Sequence, residues 1–394
     1  MGKFGIGQAV RRVEDQRFLT GSGRYVDDIS LPRQAYGALV LSPHAHARIE
    51  RVDVSRAQAA PGVLCVLTGA DALADHLGSV TAHPIPEDVG APKGHRTFQP
   101  ALAAERVRFV GDRVAFVVAE TLEQARDAAE LVEVDYSELA AVIDLEDAAK
   151  DGAPKVWDDN PQGNVAYGLV FGNKEATDAA FAKAKHVVKL RLTNNRLAPN
   201  SMEPRCALGE YSSADQQSVL YTSSQNPHGC RMEMSHIFHV AESSIRVVSP
   251  DVGGGFGMKG SPFPEDALVL WAARRTGRPV KWVATRGESL LTDTHGRDHV
   301  HYGEMALDES GRIIGIRTRS ITAVGAYFIG PAMVVGAFSV RLIPEAYDVP
   351  AIHVVTQGLF TNTAPMGPYR GAGRPEANRC PRSPTTVASS APTF

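Results

Sequence analysis

Cysteine is scarce in this chain, and its four cysteines are far apart. They lie at positions 65, 206, 230 and 380 of 394 residues, and no two of them form a C-x-x-C pair. This spacing excludes a disulfide framework and is not that of an iron–sulfur or zinc site. We therefore predict a reducing, cytoplasmic location, and we expect no metal ion to be bound by the chain's own side chains.

Long apolar runs and a strong net charge are also absent. No run approaches the roughly 18 apolar residues of a membrane span, and residues 1–12 lack the apolar core of a secretory signal peptide. The formal net charge of -3 argues against a nucleic-acid partner. With 43% hydrophobic and 22% charged residues, the composition is that of a folded soluble protein of two or three domains.

The most informative segment is the glycine-rich loop DVGGGFGMK at residues 251–259. A strand is predicted at 245–250, and a helix is predicted to follow because Pro264 occupies a first helical position. Glycines let a ligand approach the main chain, so strand, loop and helix start together would direct several N–H donors at one anion. A tight structural turn is the alternative. A P-loop is excluded because Lys259 lacks the preceding Gly and the following Ser or Thr.

The first part of the chain mixes strands and helices. Residues 107–110 and 113–119, separated by a two-residue turn that begins with glycine, predict a β-hairpin. Thr121 and Gln124 predict a capping box for a helix that runs to about residue 129. Alternating apolar residues at 132–136 predict a half-buried strand.

A second α+β region follows a stretch that is rich in Asp, Lys, Gly and Pro, between residues 143 and 161. That composition predicts a linker. Beyond it, we predict a helix at 177–185, a strand at 186–192 and a helix at 265–275. The last helix carries arginines in its final turn and Gly277 just past its end.

The composition changes abruptly at Arg379. From there the sequence reads RCPRSPTTVASSAPTF, which has almost no large apolar residue and no periodicity. A disordered tail would explain this. A reading-frame shift or premature end that replaced a folded continuation is the second explanation, and the abruptness of the change favours it.

Seven segments together resemble the large, molybdenum-cofactor subunit of the xanthine dehydrogenase / aldehyde oxidase / aerobic carbon monoxide dehydrogenase family. They are RRVEDQRFLTGSGRYVDD (11–28), SPHAHARI (42–49), RFVGDRVAFVVAET (108–121), NNRLAPNSMEPR (194–205), LYTSSQNPH (220–228), DVGGGFGMK (251–259) and PYRGAGRPEA (368–377). The resemblance runs almost continuously from about residue 7 to residue 378, and seven segments in the right order make it specific.

The resemblance implies an α+β fold in which an a/b hammerhead domain precedes the first half of a molybdopterin-cofactor-binding domain. The expected division is an N-terminal arm at 1–20, the hammerhead domain at 21–143, a linker at 144–156, the first half of the molybdopterin-binding domain at 157–378, and an aberrant or disordered tail at 379–394. The second half of the family's cofactor-binding region is expected to be absent.

The resemblance also implies a cofactor and the residues that hold it. The cofactor is molybdenum–molybdopterin, expected in its cytosine dinucleotide form, and its dithiolene rather than a protein side chain binds the metal. Gln225 would hydrogen-bond an oxo ligand, although a strand-end glutamine bonded to backbone is the alternative. Arg370 would be a fixed cationic donor rather than part of a surface salt bridge. The predicted cofactor-binding residues are Gln225, Gly254, Gly255, Phe256, Gly257, Arg370, Ala372 and Gly373.

Three departures from the family pattern concern the substrate. Ala372 stands where xanthine dehydrogenases carry a bulky aromatic residue, and Gly371 stands about where carbon monoxide dehydrogenases place a copper-binding cysteine. Gly260 stands where xanthine dehydrogenases have a substrate-orienting glutamate. We interpret the nearby Glu265 and Asp266 as charges of a helix N-terminus. Neither xanthine nor carbon monoxide is therefore the expected substrate.

The family's general base, a glutamate near the C-terminus, has no counterpart in the sequence, so no catalytic residue is assigned. The resemblance implies the N-terminal portion of a molybdenum hydroxylase that oxidises an aldehyde or an N-heterocycle. Its electrons would pass to an iron–sulfur small subunit and an FAD medium subunit. The alternative is an inactive truncated or assembly subunit that needs a second chain for the missing half. In either case we predict that this chain alone does not turn over.

Overall fold

The computed structural model describes residues 7, 9–81, 85–344 and 347–378, which form two large and two small β-sheets with helices between them. The helices are α1 Asp15–Leu19, α2 Ser55–Gln58, α3 Gly69–Ala74, α4 Leu122–Ala129, α5 Leu145–Ala148, α6 Lys174–Lys183, α7 Pro227–Phe238, α8 Pro264–Thr276, α9 Arg286–Thr292 and α10 Ala332–Leu342. Short 3₁₀ turns lie at Pro86–Val89, Glu242–Ser244 and Met258–Gly260.

The strands are β1 Ala35–Leu41, β2 Ala47–Asp53, β3 Val63–Thr68, β4 Ser79–Val80, β5 Gln99–Pro100, β6 Arg106–Val107, β7 Arg113–Ala119, β8 Glu133–Glu138, β9 Val165–Gly172, β10 His186–Asn194, β11 Cys206–Ser212, β12 Gln217–Thr222, β13 Ile245–Val248, β14 Val280–Val283, β15 His299–Leu307, β16 Ile313–Gly325 and β17 Ile352–Phe360.

The largest sheet has seven strands in the order β13-β12-β11-β14-β1-β7-β3. Its centre is the parallel pairing of β1 with β14, where Ala35 lies opposite Val280 and Tyr36 opposite Lys281. Strands from the first 120 residues and strands from residues 206–283 therefore share one continuous sheet. The predicted division between residues 143 and 157 remains a prediction, and the regions on its two sides are joined through this sheet.

Helix α8 packs against β11 of the seven-stranded sheet and is buried on all sides. Every residue from Pro264 to Ala273 is buried, so this helix forms part of the core rather than an amphipathic cover. Gly209 of β11 permits the contact, because a Cβ there would lie 2.6 Å from the Val269 carbonyl. The predicted helix is confirmed, as is its end at Gly277, whose φ of 60° is left-handed.

The second sheet has five strands in the order β10-β15-β16-β17-β9 and carries its own hydrophobic core. Tyr167 of β9 stacks on Phe328 with ring centroids 5.5 Å apart. The segment predicted as a linker contributes to this core, because it contains α5 and buries Leu145, Ala148 and Val156 there. The segment is therefore packed against the sheet along part of its length.

The predicted β-hairpin at residues 107–119 is wrong. The turn forms at Gly111, whose φ is 103°, but β6 pairs with β2 while β7 joins the seven-stranded sheet. The physical reason is the buried carboxylate of Asp112, which accepts the Arg108 N–H at 3.0 Å and the Tyr327 hydroxyl at 2.8 Å. These bonds direct the strands on either side of the turn into different sheets.

The local predictions that follow this turn are confirmed. The Gln124 N–H donates to the Thr121 hydroxyl at 3.2 Å, and the Thr121 N–H donates to the Gln124 side chain at 3.1 Å. This is the predicted capping box, and α4 ends at Ala129. The predicted strands are present as β8 and β10, and the predicted helix at 177–185 is present as α6.

The ends of the chain are only partly described. Near the N-terminus, Arg17 pairs with Asp251, which also accepts the Arg24 N–H at 2.7 Å. These contacts attach the predicted N-terminal arm to the start of the glycine loop. The predicted tail at 379–394 lies outside the described residues. Within the part of the chain that is described, no helix combines the length and apolar character needed to cross a membrane.

A buried carboxylate joins the two large sequence regions. Glu265 of α8 accepts from Arg113 of β7 at 2.7 Å and from Arg205 at 2.6 Å. Arg205 also donates to Asp293 at 2.6 Å, and all four residues are at most 4% exposed. Because each charge lies next to an opposite one, the group is stable inside the core, whereas a single charge left without its partner would be costly.

We expect the Glu265→Gln variant to lose about 3 to 5 kcal/mol of unfolding free energy, because Arg113 and Arg205 would keep their charges but lose their shared carboxylate. Urea denaturation of the purified chain measures this. Glu309→Gln, at an exposed position, is the matched control and should stay within about 0.5 kcal/mol of wild type. A Glu265→Gln chain as stable as the control would contradict the role assigned to this carboxylate.

The stability difference between wild type and Glu265→Gln should also depend on pH. Burial alone would raise the pKa of Glu265, but Arg113 and Arg205 outweigh burial and lower it from 4.5 to about 2. The contribution of ionised Glu265 to the free energy of unfolding is therefore fully present above the unfolded pKa of 4.5. It is lost as the pH falls toward the folded pKa of about 2. Urea titrations over this pH range should show the difference narrowing, and a constant difference would refute the assignment.

Candidate functional site

Three loops that follow strands of the two large sheets are bonded to one another. They are residues 223–226 after β12, residues 251–260 after β13, and residues 368–373, which come after β17. The Gly257 N–H donates to the Gln225 side-chain oxygen at 2.9 Å. The Arg370 N–H donates to the Phe256 carbonyl at 2.8 Å. We call this arrangement the three-loop site, and it brings together the predicted residues Gln225, Gly254–Gly257 and Arg370.

The glycines of the loop are needed because the other two loops come so close. A Cβ on Gly255 would lie 2.4 Å from the Gln225 side-chain oxygen, and a Cβ on Gly257 would lie 2.6 Å from the Pro368 carbonyl. Gly254 and Gly257 also have φ of 99° and 96°. Phe256 has a φ of 51°, a left-handed conformation that costs a bulky residue about 1 to 3 kcal/mol. The loop therefore holds a strained backbone conformation.

The conformation leaves three consecutive backbone donors without a partner. Within the described residues, the N–H groups of Gly254, Gly255 and Phe256 donate to no acceptor. The neighbouring N–H groups are used, since Gly253 donates to Glu203 and Gly257 to Gln225. Successive N–H groups that include left-handed residues form a concave surface suited to an anion. The glycine loop therefore provides the donors that its sequence predicted.

Gln225 lies at the exposed start of α7 and is held at two points. Its backbone N–H donates to the Lys259 carbonyl at 2.9 Å, and its side-chain oxygen accepts the Gly257 N–H. Since the oxygen is engaged, the amide NH₂ is the free end, and no acceptor for it occurs in the described part of the chain. The next residue, Asn226, caps α7 by accepting the Gly229 N–H at 3.1 Å. The side chain is exposed rather than buried, but its bond to the Gly257 backbone is the contact expected of the alternative, so the bond from Gln225 to an oxo ligand remains a prediction.

Arg370 is exposed, and its guanidinium forms no ion pair or hydrogen bond with any described residue. Its backbone is fixed, because Arg297 donates to the Arg370 carbonyl at 2.8 Å and to Glu376 at 2.9 Å. Both Arg297 and Glu376 are buried. Sequence analysis missed this pair, although Glu376 lies within the PYRGAGRPEA segment. The pair orients the loop, and the Arg370 side chain is left free for a ligand.

Ala372 and Gly373 belong to the same turn as Arg370, but their surroundings differ. The Ala372 N–H donates to the Tyr369 carbonyl at 2.8 Å. Gly373 is buried against α10, where an added Cβ would lie 2.6 Å from the Val335 carbonyl. The absence of a side chain at Gly373 therefore lets the turn pack on this helix. Their predicted cofactor contacts remain predictions.

The start of α8 does not contribute donors to the three-loop site, contrary to the prediction from the sequence. Glu265 and Asp266 are 1% and 6% exposed, and the Phe263 N–H is bonded to the Asp266 carboxylate at 2.9 Å. Asp266 is thus the helix N-terminal charge that was predicted, and burial raises its pKa to about 6. Because this helix lies in the core, its first turn is closed off. The helix that begins at the site is α7.

Glu203 and Lys259 are two further residues that sequence analysis did not assign. Lys259 is 1% exposed and donates to the Glu203 carboxylate and to the Glu203 carbonyl, both at 2.9 Å. Burial lowers the pKa of Lys259, and the Glu203 charge opposes that change. Both residues lie in segments that carry the family resemblance, which was the available signal. Their contact lies directly beneath the glycine loop.

The chain matches known proteins over nearly all of its length. A family model described as the molybdopterin cofactor-binding domain matches residues 157–380, and one described as the aldehyde oxidase and xanthine dehydrogenase a/b hammerhead domain matches residues 20–140. The chain is 36% identical over 376 residues to the nicotine 6-hydroxylase large subunit of Paenarthrobacter nicotinovorans. It is also 36% identical over 376 residues to the carbon monoxide dehydrogenase large chain of Afipia carboxidovorans.

These alignments cover 93% and 92% of this chain but only 44% and 45% of the two relatives. The chain therefore spans less than half the length of the curated relatives it matches. Among solved structures, quinoline 2-oxidoreductase from Pseudomonas putida 86 is similar with a TM-score of 0.91 and 36% identity, over 97% of this chain and 48% of that one.

The α+β fold predicted from the sequence, a hammerhead domain followed by a molybdopterin-binding domain, is confirmed by these matches. The family model for cofactor binding covers more than half of the chain, and the identities to full-length relatives extend over both domains. The chain belongs to the xanthine dehydrogenase / aldehyde oxidase / carbon monoxide dehydrogenase family of molybdenum hydroxylases, as a large, molybdopterin-binding subunit.

Proposed function

We propose that the three-loop site binds a molybdenum–molybdopterin cofactor, expected in its cytosine dinucleotide form, and that the complete enzyme hydroxylates an aldehyde or an N-heterocycle. The observation that carries this proposal is the row of free N–H groups at Gly254, Gly255 and Phe256. Next to it lie the free amide NH₂ of Gln225 and the free guanidinium of Arg370. All five of these groups are hydrogen-bond donors, and none of them meets an acceptor among the described residues.

The donor set fits this cofactor. Oxo ligands, dithiolene sulfurs and phosphate oxygens are all acceptors, and a cofactor that carries its metal on its own dithiolene needs donors rather than metal ligands from the protein. The three-loop site is also narrow, since a Cβ on Gly255 would lie 2.4 Å from the Gln225 side chain. The glycines thus allow a ligand to contact the backbone itself.

The chain's residues would orient and neutralise the bound group. When bound, the cofactor supplies the centre that accepts two electrons while oxygen from water enters a C–H bond. Gln225 would donate from its outward NH₂ to an acceptor oxygen, and its position is fixed because its other amide atom is already bonded. The loop N–H groups would stabilise negative charge without reorganising, and Arg370 would add a permanent positive charge.

The residues at the expected substrate positions support a substrate other than xanthine or carbon monoxide. Ala372 and Gly371 carry neither the aromatic ring nor the thiol expected for xanthine or carbon monoxide. Around Gly260 the space is open, because an added Cβ there would meet no atom within 4 Å. Two similar proteins are named for nicotine and quinoline, which are both N-heterocycles, and this favours an N-heterocycle over an aldehyde.

The proposed function needs partners. We propose an iron–sulfur small subunit and an FAD medium subunit, which is supported by relatives that are named as large subunits or large chains. A cytoplasmic location is supported by Cys65, Cys206 and Cys230, which are free thiols. We also propose that a region corresponding to the rest of the relatives' length completes the cofactor site, since the chain spans 44% of the nicotine 6-hydroxylase large subunit.

The second candidate is a non-catalytic assembly subunit, and one observation favours it. Each carboxylate that the structure places at or beneath the three-loop site already has a structural partner. Glu203 is bonded to Lys259, Glu265 to two arginines, and Asp266 to the Phe263 N–H. A general base for hydroxylation would therefore have to come from outside this group of residues.

Cofactor content tests the proposed binding site. We expect the complex purified with its partner subunits to contain molybdenum and pterin, measured by mass spectrometry of the metal and by fluorescence of the oxidised pterin. Gln225→Ala and Arg370→Ala should lower both, because each removes a free donor. Gln217→Ala, at an exposed end of β12, is the matched control and should match wild type. A wild-type complex that carries neither component would overturn the proposal.

Activity of the isolated chain tests the need for a partner. We expect this chain, loaded with cofactor but without any other polypeptide, to be slower than the complete complex by about two to four powers of ten, the usual contribution of a general base. Quinoline and an aromatic aldehyde are suitable substrates, with an artificial electron acceptor. Turnover by the isolated chain at the rate of the complex would show that its own residues suffice.

A further inference from the structure

The Glu203 side chain forms hydrogen bonds near both ends of the glycine loop. The Glu203 carboxylate accepts the Gly253 N–H at 2.7 Å and the Lys259 ammonium at 2.9 Å. The Glu203 main chain also takes part, because its N–H donates to the Gly253 carbonyl at 3.1 Å and its carbonyl accepts from Lys259 at 2.9 Å. Glu203 therefore takes part in four hydrogen bonds, as the donor in one and the acceptor in three. Together these bonds fix the distance between residues 253 and 259.

The same bonds extend to Gln225. The Lys259 carbonyl accepts the Gln225 backbone N–H at 2.9 Å, and the Gln225 side-chain oxygen accepts the Gly257 N–H at 2.9 Å. The contact between Glu203 and Lys259 is thus linked through the Lys259 carbonyl to Gln225, whose side chain is bonded to Gly257. These bonds place the Gln225 oxygen toward the loop, so its NH₂ points away from the loop.

The contact is buried and closely fitted. Lys259 is 1% exposed, and the Glu203 side chain is 11% exposed. Gly253 cannot carry a side chain without displacing Glu203, since an added Cβ would lie 2.4 Å from the Glu203 Cβ. The second carboxylate oxygen of Glu203 is buried and has no donor among the described residues. Little room is therefore left for the loop to adopt another conformation while this contact is intact.

We infer that Glu203 is a positioning residue, which acts through Lys259 and Gly253 to hold the glycine loop with three N–H groups free and the Gln225 amide turned outward. Glu203 itself does not contact the ligand. Its importance for catalysis rests on the proposed function, because only then do the donors hold a molybdenum cofactor. The conformation that it maintains can be measured without that cofactor.

The test compares Glu203→Ala with Glu203→Gln, which keeps an acceptor for both donors. In the chain without cofactor, hydrogen–deuterium exchange should be faster in residues 251–260 of Glu203→Ala by about tenfold or more, and unchanged in β15–β17. Glu203→Gln should lie between wild type and Glu203→Ala, because its oxygen still accepts from both donors while the buried Lys259 ammonium loses its opposite charge. Glu309→Ala is the exposed control. Unchanged exchange at 251–260 in Glu203→Ala would overturn the inference.

In the complete complex, Glu203→Ala should lower molybdenum content and kcat while KM for the substrate changes little, and Glu203→Gln should restore part of both. Wild-type molybdenum content and kcat in Glu203→Ala would also overturn the inference. If Glu203→Ala does not fold, Gly253→Ala carries the same test, because its Cβ would push Glu203 away. A wild-type complex without molybdenum would overturn the proposed function instead, and the exchange result would then decide the role of Glu203.

Discussion

The buried carboxylate of Glu265 connects the parts of the chain on which the three-loop site is built. It binds Arg113 from the first region and Arg205, which lies two residues after Glu203. Arg205 in turn binds Asp293, whose neighbour Thr294 is in close contact with Gly367 before the Arg370 turn. The network therefore lies next to Glu203, which is bonded to the glycine loop, and next to the start of the Arg370 loop.

Above this network the loops are brought together by the absence of side chains. Gly253, Gly255 and Gly257 lie so close to Glu203, Gln225 and Pro368 that a methyl group would displace each neighbour. The bonds formed across these contacts leave the N–H groups of Gly254, Gly255 and Phe256 without an acceptor among the described residues. Gly254 and Phe256 are at least partly exposed, so this row of N–H groups on a strained loop supports the ligand site that we propose.

The charged residues at the site fall into two groups, those paired with another residue and those left unpaired. Lys259, Glu265 and Glu376 are buried and Glu203 is half-buried, and each of the four is paired with an opposite charge. Arg370 is exposed and unpaired with any described residue, so its charge is available to a ligand. The free groups named above are donors, which supports the proposed cofactor because it would bring oxygens and sulfurs as acceptors.

The sequence by itself determined the features that depend on neighbouring residues: the limits of α8 between Pro264 and Gly277, the Thr121–Gln124 capping box, and a loop able to take positive φ. Only the tertiary structure decided that β6 and β7 enter different sheets and that the start of α8 is buried. It also decided which atom of Gln225 is free and that Glu203 holds the loop. These features depend on contacts between residues that are far apart in the sequence. Arg113 and Glu265 are separated by 152 positions, and Lys259 and Glu203 by 56. Local propensity does not encode such contacts, because they form only when the sheets and the core bring the segments together.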